Sequence, residues 1–442
     1  VVAVDCGVRS VAEVAHAREL GLDIIITDHH SVPETLPPAL AVIDPKRPES
    51  RYPFTELAGV SVAYRLVDGL HRAMARAGEV SDQVNEPDAY LDLIALGTVA
   101  DIVPLRGENR LLARRGLRRM RDTDRQGIRA LADVAGCALA DLDSRAIGFR
   151  LGPRLNAAGR LKHGRMAYDL LMSETEEEAR RLAADLDLVN SERRRLLEEQ
   201  IERARKQLGQ ADGRLVLFVE GPEFHEGVVG LIASRLVEQF YRPALVLRRG
   251  PETSRGSARS IQGFHITRAL DACSDLLLRY GGHERAAGFS LATEHLAAFQ
   301  KRLEEYGAQH LTEKLLSRRV DVDAIVPLEQ ITEDTARAMV LLEPCGEGNP
   351  QAALASPGVR LLSLRTVGNE GKHLRMEVGD GSRTIPAIAF YRGQEAGSLR
   401  AGEAIDLVYS PVMNPWQGEE SLQLFVRAWR PAEGAQGRGT TE

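Results

Sequence analysis

Two short apolar runs near the start of the chain each end in residues that could bind a metal ion. Val1–Val4 is followed by Asp5, and Ile24–Thr27 is followed by Asp28-His29-His30. The stretch Val8–Gly21 between them mixes apolar and polar residues, and we therefore predict the order strand, helix, strand. Carboxylate and imidazole groups together suit Mn²⁺, Mg²⁺ or Zn²⁺. In the alternative interpretation, Asp28 caps a turn and the histidines are loop residues. The presence of Asp5 at the matching strand end weakens this alternative.

The connection between these strands predicts where their acidic ends lie. A right-handed crossover makes two such strands parallel and neighbouring. The residues after both strands then meet at the carboxyl edge of one sheet, where open α/β folds place their sites. A later helical pattern, Asp88–Ala100, is followed by Asp101 and stopped by Pro104, which leaves another carboxylate at a helix end.

Composition places the chain among ordinary globular proteins. Its 442 residues are enough for about three domains, and 43% are hydrophobic and 27% charged. No stretch approaches the roughly 18 apolar residues of a membrane helix. No signal segment opens the sequence, so we expect a cytoplasmic protein. Four cysteines without C-x-x-C spacing argue against a structural zinc site and a disulfide framework.

Charge gives only local information. The net charge of −6 does not mark a nucleic-acid-binding protein. Seven arginines are concentrated between positions 106 and 121. They indicate either the solvated face of a helix or a helix that faces phosphates.

The pattern of elements predicts an α/β protein with two α/β domains joined by a long helix and followed by a small OB-like β-barrel. The connecting helix contains no glycine or proline, and Ser173 with Glu176 is expected to form a capping box at its start. The predicted segments are a first domain at 1–171, the helix at 172–208, a second domain at 209–316, the barrel at 317–431 and a disordered tail at 432–442.

Two segments of the second domain have the composition of phosphate-binding sites. They are Arg255–Ser260 and Gly281–Gly288, both short, basic and glycine-bearing. Backbone N–H groups exposed by glycine, together with arginine and serine side chains, suit a phosphate. Ordinary turns are the alternative.

Several motifs, taken in order, resemble one known family. The chain resembles the RecJ family of single-strand-specific 5′ exonucleases, within the DHH phosphoesterase superfamily, from Val1 to about Pro431. The matching motifs are V-A-V-D-C-G at 2–7, T-D-H-H at 27–30, L-A-G-V-S-V-A at 57–63, G-T-V-A-D at 97–101, L-G-P-R-L-N-A-A-G-R-L at 151–161, the two basic segments, and L-E-P-C-G-E-G-N-P at 342–350. T-D-H-H marks the superfamily, whereas the 151–161 motif and the barrel are typical of RecJ.

The resemblance implies a two-metal site that uses Mn²⁺ or Mg²⁺, with the ions about 3.5–4 Å apart. It assigns Asp5 as the bridging ligand and His29 and Asp101 as ligands of the second ion. His30 would face the scissile phosphate, and Asp28 would orient the histidine pair. We therefore expect Asp5, His29 and Asp101 to converge within about 5–6 Å.

The resemblance also implies a cleft between the two α/β domains that holds single-stranded DNA by its phosphates. The residues assigned to phosphate binding are Arg154, Asn156 and Arg160 on the near side and Ser257, Arg259, Ser260, Gly282 and His283 on the far side. In the alternative interpretation Asn156 is a helix cap, and Arg154 and Arg160 pair with helix carboxylates.

An OB-like barrel is typical of proteins that bind single-stranded nucleic acid. Trp416 is the candidate for base stacking. Phe425 and Trp429 could stack bases as well, but core packing is the stronger interpretation for Phe425 and the alternative for Trp429. The expected partners are single-stranded DNA, a single-strand-binding protein and a helicase, without a membrane.

The superfamily's earlier acidic motif, one strand before V-A-V-D, does not occur in these residues. It normally supplies ligands for one of the two ions, so the sequence predicts a fragment that is at most weakly active. Two other functions stay open. One is a phosphohydrolase for small substrates or a nuclease for short RNA. The other is an inactive homologue that binds single-stranded DNA.

Overall fold

The computed structural model describes residues 1–79, 87–209, 213–381, 383–416 and 419–432, without the side chains at positions 87, 369, 415, 416 and 419. The predicted tail lies almost entirely outside the described residues. The chain forms two compact units. The first contains residues 1–122, 140–148 and the described part of 320–442, and the second contains residues 123–139 and 149–319.

The first unit begins with a three-stranded parallel sheet. Its strands are β1 (Val2–Val4), β2 (Ile25–Thr27) and β3 (Ala41–Ile43), with helix α1 (Val11–Glu19) between the first two. The register aligns Val4 with Thr27 and Thr27 with Ile43, so the three strands end at one level. The predicted strand, helix and strand are confirmed, and the acidic residue after each strand lies at the same sheet edge.

Three helices pack in series beside this sheet: the first contacts β1 and β2, the second packs on the first, and the third packs on the second. They are α2 (Gly59–Ala77), α3 (Leu91–Ala100) and α4 (Gly107–Arg121). Asp101 is the residue that caps the carboxyl end of α3, as predicted. Helices α3 and α4 approach so closely that a Cβ atom on Gly116 would lie 2.1 Å from the carbonyl oxygen of Leu91. The position of Asp101 therefore depends on a glycine in the next helix.

Helices dominate the following segment. They are α5 (Gln126–Val134), α6 (Ser144–Ala146), α7 (Gly152–Leu161), α8 (Arg165–Met172) and α9 (Glu176–Leu208), with a π-helical turn at Ile147–Leu151. The 33-residue α9 packs against α5, α7 and α8 and also against the strand and helix that follow it. Its cap is Thr175, whose side chain accepts from the amide of Glu178. The predicted capping box at Ser173 is wrong, because that hydroxyl donates to the carbonyl of Leu170 and the helix begins three residues later.

The second unit also contains a five-stranded mixed sheet. Its strands are β4 (Leu217–Gly221), β5 (Ala244–Arg248), β6 (Thr253–Arg259), β7 (Leu277–Gly282) and β8 (Ala286–Ala292), and its helices are α10 (Glu226–Phe240), α11 (Ile266–Asp271), α12 (Leu296–His310) and α13 (Glu313–Leu316). The strand order is β4-β5-β6-β8-β7. The segment Arg255–Ser260 is mostly strand, so the alternative of an ordinary turn is wrong there. The segment Gly281–Gly288 is the tip of the β7–β8 hairpin.

The carboxy-terminal residues form a closed five-stranded barrel. Its strands are β10 (Leu354–Val367), β11 (His373–Gly379), β12 (Thr384–Ala389), β13 (Ala404–Trp416) and β14 (Glu419–Pro431), preceded by the two-residue β9 (Ala324–Ile325) and helix α14 (Glu333–Met339). Pairing of β10 with both β11 and β13 closes the barrel, and β12 runs parallel to β14. Buried aliphatic residues alternate along the strands and meet in one core around Tyr409. The predicted fold class is confirmed.

No helix in the described ranges combines the length and the apolar composition that are needed to cross a membrane.

The Gly116 contact leads to a stability prediction. We expect Gly116→Ala to lower the free energy of unfolding by about 1–3 kcal/mol, because the new methyl group would collide with the backbone of α3. Gly69→Ala is the matched control, since this glycine lies in α2 with no atom within 4 Å of its would-be Cβ. That change should raise the free energy of unfolding by about 0.5–1 kcal/mol. Urea unfolding of the two variants measures both effects, and equal effects of the same sign would contradict the proposed helix contact.

Candidate functional site

The predicted metal ligands converge at the carboxyl edge of the first sheet. Nε2 of His29 lies 3.1 Å from Oδ1 of Asp5 and 3.5 Å from Oδ2 of Asp101. Asp5, His29 and His30 each offer one ligand atom, and these three atoms lie within 4.8 Å of one another. The structure thus brings together the residues that the sequence selected, whereas their binding of a metal ion stays a prediction.

The His29 ring presents a lone pair to the two carboxylates. Its Nδ1 lies 3.1 Å from the carbonyl oxygen of Leu57, which can only accept, so we assign the ring hydrogen to Nδ1. Nε2 is then an acceptor, and this buried atom has no hydrogen-bond partner among the described residues. A lone pair facing two carboxylates needs a cation or a proton between them. These residues therefore fit a divalent cation, whose histidine ligands commonly donate their other N–H to a carbonyl.

Asp28 accepts hydrogen bonds from both histidines. It is only 1% exposed, and its Oδ1 accepts from the amides of His29 and His30 and from Nδ1 of His30, at 2.8, 3.2 and 2.8 Å. Its Oδ2 accepts from the amide of Val8 at 2.9 Å. Burial acts to raise the pKa of Asp28, but these hydrogen bonds outweigh burial and hold it below its usual value. Asp28 thus stays ionised and orients the histidine pair.

The pKa values of the converging groups are coupled. Burial acts to lower the pKa of His29, but Asp5 and Asp101 outweigh it and raise that pKa above its ordinary value. Burial, assisted by the charge of Asp5, raises the pKa of Asp101. Without a metal ion the cluster therefore retains a proton more readily than isolated groups would, and a binding cation must displace that proton.

The backbone is strained at two positions of this edge. Asp5 has φ 63° and Ile102, next to Asp101, has φ 61°, although residues other than glycine rarely adopt such angles. A Cβ atom on Gly59 would lie 2.1 Å from Oδ1 of Asp5, so only glycine fits there. Strain of this kind typically costs about 1–3 kcal/mol and persists where function requires it. Gly59 was missed as a site residue, although it lies within the L-A-G-V-S-V-A motif.

The second unit contains a group of arginines without anionic partners. Arg160 donates to the carbonyl of Gly227, and Arg259 donates to the carbonyl of Ala258. Arg193 donates to Oδ1 of Asn190. Within the described ranges none of these three guanidinium groups pairs with a carboxylate. Burial first, and then the charge of Arg160, lowers the pKa of Arg193 and of Arg259. Neighbouring cations left uncompensated in this way favour an anion.

Gly230 of helix α10 lies directly against the side chains of Arg259 and Ser257. A Cβ atom on Gly230 would lie 2.9 Å from Nη2 of Arg259 and 3.3 Å from Oγ of Ser257. The sequence placed Arg160 and Arg259 on opposite walls of a cleft, but both belong to the second unit, and the charge of Arg160 acts on Arg259. The sequence missed Arg193, because it is one of many arginines along a highly charged helix.

The other predicted phosphate ligands have different surroundings. The nitrogen atoms of Arg154 donate to Asp187 and to the carbonyls of Arg150 and Val134, as the alternative of a helix ion pair predicted. Asn156 is exposed inside α7, so the alternative that it is a cap is wrong. Arg160 pairs with a carbonyl, so the predicted pairing with a helix carboxylate is wrong for it.

The remaining predicted phosphate ligands lie after β6 and at the β7–β8 hairpin of the second unit. The hydroxyl of the buried Ser260 donates to the carbonyl of Phe264, which turns it into the fold. Gly282 and the exposed His283 lie at the β7–β8 hairpin, where the amide of His283 donates to Ala286. Phosphate binding by Arg154, Asn156, Arg160, Ser257, Arg259, Ser260, Gly282 and His283 stays a prediction.

The arginine-rich helix α4 mainly holds the first unit together. Arg106 and Arg110 donate to the carbonyls of Gly348 and Leu342, and Arg121 donates to that of Leu142. Arg119 donates to the carbonyl of Asp122 as well, so four of the seven arginines bind backbone of the same unit, which weakens the interpretation of α4 as a phosphate-facing helix.

The barrel aromatics pack against arginines. The guanidinium of Arg145 lies 4.4 Å from the ring centre of Phe425, and that of Arg392 lies 4.5 Å from Trp429. Trp429 also contacts the barrel core. These contacts agree with packing as the role of both aromatics. The side chain of Trp416 lies outside the described residues, so base stacking by Trp416 stays a prediction.

Comparison with known proteins agrees with this arrangement. Three family models match: the DHH family N-terminal domain at residues 1–98, the DHHA1 domain at 212–309 and the RecJ OB domain at 322–428. The single-stranded-DNA-specific exonuclease RecJ of Escherichia coli is 36% identical over 96% of this chain and 76% of its own length. The chain belongs to the RecJ family. The single-stranded-DNA-specific exonuclease RecJ of Bacillus subtilis is 37% identical over 97% of this chain. The chain spans only 53% of the length of that relative.

A RecJ structure shares the fold over nearly the whole chain. The crystal structure of RecJ from Thermus thermophilus in complex with Mn²⁺ matches with a TM-score of 0.83 and 32% identity, and covers 98% of this chain and 62% of that one. A second structure of that protein, in complex with Mg²⁺, matches with a TM-score of 0.78. The family domain ranges lie within the predicted domains, whose exact boundaries stay predictions.

The geometry at His29 predicts metal binding. Asp5→Asn should weaken Mn²⁺ binding at least tenfold, because it removes one of the two carboxylates that face Nε2. Asp23→Asn, an exposed aspartate before β2, is the matched control and should bind as the wild type does. Isothermal titration calorimetry measures both affinities, and equal Mn²⁺ binding by the two variants would exclude the assigned centre.

The same titration has a predicted pH dependence. A histidine ligand must lose its proton, and the pKa of His29 is raised, so the apparent affinity should fall as the pH drops through that raised value. Below that pKa, the apparent Mn²⁺ affinity should fall up to about tenfold for each pH unit. A Mn²⁺ affinity that is constant between pH 8 and pH 5 would contradict this prediction.

Proposed function

We propose that the protein is a single-strand-specific DNA exonuclease that works from the 5′ end and hydrolyses phosphodiester bonds with two divalent metal ions, in DNA repair and recombination. One observation supports this most strongly. The lone pair of His29 faces Asp5 and Asp101 at the carboxyl edge of a parallel sheet, and this donor set suits Mn²⁺ or Mg²⁺. The names of the relatives, and the Mn²⁺ and Mg²⁺ in the Thermus thermophilus structures, agree with the proposal.

Each residue has a role in this proposal. Asp5 would bridge the two ions, and His29 and Asp101 would complete the shell of the second ion. Bound cations would activate a water molecule and neutralise charge that develops on the phosphate oxygens. Asp28 keeps the two histidines in place through three of its four hydrogen bonds. His30, whose side chain is 46% exposed, would contact the scissile phosphate.

The rest of the chain would bind the substrate. The arginine group of Arg160, Arg193 and Arg259 would hold backbone phosphates, because its members lack carboxylate partners in the described part of the chain. The barrel would bind further nucleotides, as OB folds commonly do. Cytoplasmic location and partnership with a single-strand-binding protein and a helicase, both expected from the sequence, stay predictions.

Two alternative functions are distinguishable. The carboxy-terminal barrel favours a polymeric substrate. A phosphohydrolase of small substrates would not require it, nor would a nuclease of short RNA. An inactive homologue that binds single-stranded DNA would not require the proton-holding arrangement at His29. The proposed function thus accounts for more of the observed geometry than either alternative.

The activity assay uses DNA with a label at either end. In line with the weak activity expected from the sequence, we expect single-stranded DNA to be degraded slowly from the 5′ end with Mn²⁺ and to survive with EDTA. His29→Ala should lower the rate at least 100-fold, whereas Asp23→Asn should leave it unchanged. Preferential cleavage of dinucleotides or of RNA would favour the small-substrate alternative. Tight DNA binding without hydrolysis at any Mn²⁺ concentration would favour the inactive homologue.

The arginine group leads to a binding prediction. Arg259→Ala should weaken single-strand binding regardless of base sequence and reduce the salt dependence by about 0.7 in the slope of log K against log salt, because one phosphate contact is lost. Arg302→Ala removes an arginine that pairs with Asp275 and is the matched control. Fluorescence anisotropy at several salt concentrations measures the slopes. If Arg259→Ala instead unfolds the protein and leaves the slope unchanged, Arg259 has a structural role.

A further inference from the structure

The third strand of the first sheet ends at the same edge as the two that carry the metal ligands. Backbone hydrogen bonds continue the ladder one residue past each strand, from the amide of Asp5 to Thr27 and from the amide of Asp28 to Ile43. Asp44, directly after β3, is therefore the counterpart of Asp5 and Asp28. The sequence attached no role to this strand end.

The chain after β3 forms a fixed turn. Asp44 is 4% exposed, and its Oδ1 accepts from the amide of Lys46 at 2.7 Å. The amide of Arg47 donates to the carbonyl of Asp44, and its guanidinium donates to that of Val42. These contacts hold the backbone of Lys46 in one position relative to the sheet edge.

The ammonium group of Lys46 has no hydrogen-bond or ion-pair partner among the described residues, and the residue is half-buried. Its charge nevertheless acts on the site, since it offsets part of the rise in the pKa values of His29, Asp44 and Asp101. A lysine whose charge acts on two carboxylates would ordinarily pair with one of them. This one is instead available to an anion at the edge.

We propose that Lys46 binds a non-bridging oxygen of the scissile phosphate, as a third contribution of the sheet edge beside the residues after β1 and β2. The proposal rests on the proposed function, because that function places a phosphate at this edge. Asp44 positions Lys46 through the turn. A lysine ammonium suits this role because it carries three donors and a compact charge.

A simpler role must be distinguished from this one. Lys46 could only offset the negative charge of the cluster when metal is absent. In that case Lys46→Ala would change Mn²⁺ affinity, but hydrolysis at saturating Mn²⁺ would equal that of the wild type. A phosphate contact differs in the second measurement, because hydrolysis at saturating Mn²⁺ then falls when the substrate loses a charged hydrogen bond.

The test compares Lys46→Ala and Lys46→Arg with Lys301→Ala, an exposed lysine on α12 that pairs with Glu305. At saturating Mn²⁺ we expect Lys46→Ala to lower kcat/KM on single-stranded DNA about 10- to 100-fold, as loss of a charged hydrogen bond would. Lys46→Arg should retain most activity, and Lys301→Ala should retain all of it. Calorimetric Mn²⁺ affinity of Lys46→Ala should stay equal to that of the wild type or rise, since a repelling charge is removed.

A second measurement does not depend on turnover. Binding of phosphorothioate single-stranded DNA in Mn²⁺ should lose about 0.7 of its salt slope in Lys46→Ala. An unchanged slope together with an unchanged kcat/KM would overturn the inference. If the wild type binds DNA but does not cleave it, the proposed function fails, and the slope still decides whether Lys46 contacts a phosphate.

Discussion

The central constraint on this structure is the approach of three electron-rich groups to one point. Nε2 of His29 offers a lone pair, and a carboxylate oxygen lies on either side of it, at 3.1 and 3.5 Å. Like charges and lone pairs at this distance repel unless a cation or a proton separates them. The arrangement is therefore unfavourable unless Nε2 holds a proton, and in the proposed function a divalent cation takes the place of that proton.

Much of the first unit maintains this unfavourable arrangement. Asp28 is buried and accepts from the amides of both histidines and from the ring of His30, and the carbonyl of Leu57 holds the ring of His29. Gly59 lets α2 approach Asp5, and Gly116 lets α4 approach the helix that ends at Asp101. Positive φ angles at Asp5 and Ile102 add strain that a purely structural turn would avoid.

The second unit contains clustered positive charges, in contrast to the electron-rich groups of the first unit. Arg160, Arg193 and Arg259 lie near one another without carboxylate partners in the described part of the chain, and burial with mutual repulsion lowers the pKa of two of them. An acidic cluster that needs cations and a basic group that needs anions are complementary requirements. Under the proposed function the cation is a divalent metal ion and the anion is backbone phosphate, and local charge of this kind is compatible with the chain's net charge of −6.

The sequence by itself determined the order of elements, the fold class and the metal-site candidates. Strand and helix patterns are local, and the carboxyl ends of parallel strands meet by a general rule, so Asp5 and His29 could be placed together before the structure was known. The tertiary structure decided what the remaining charged residues do. Arg154 and Ser260 are engaged inside the fold, whereas Arg193 and Lys46 pair with no carboxylate of the described residues. Partners of long side chains come from distant segments of the chain, so residue type and spacing alone cannot reveal which charges the fold neutralises.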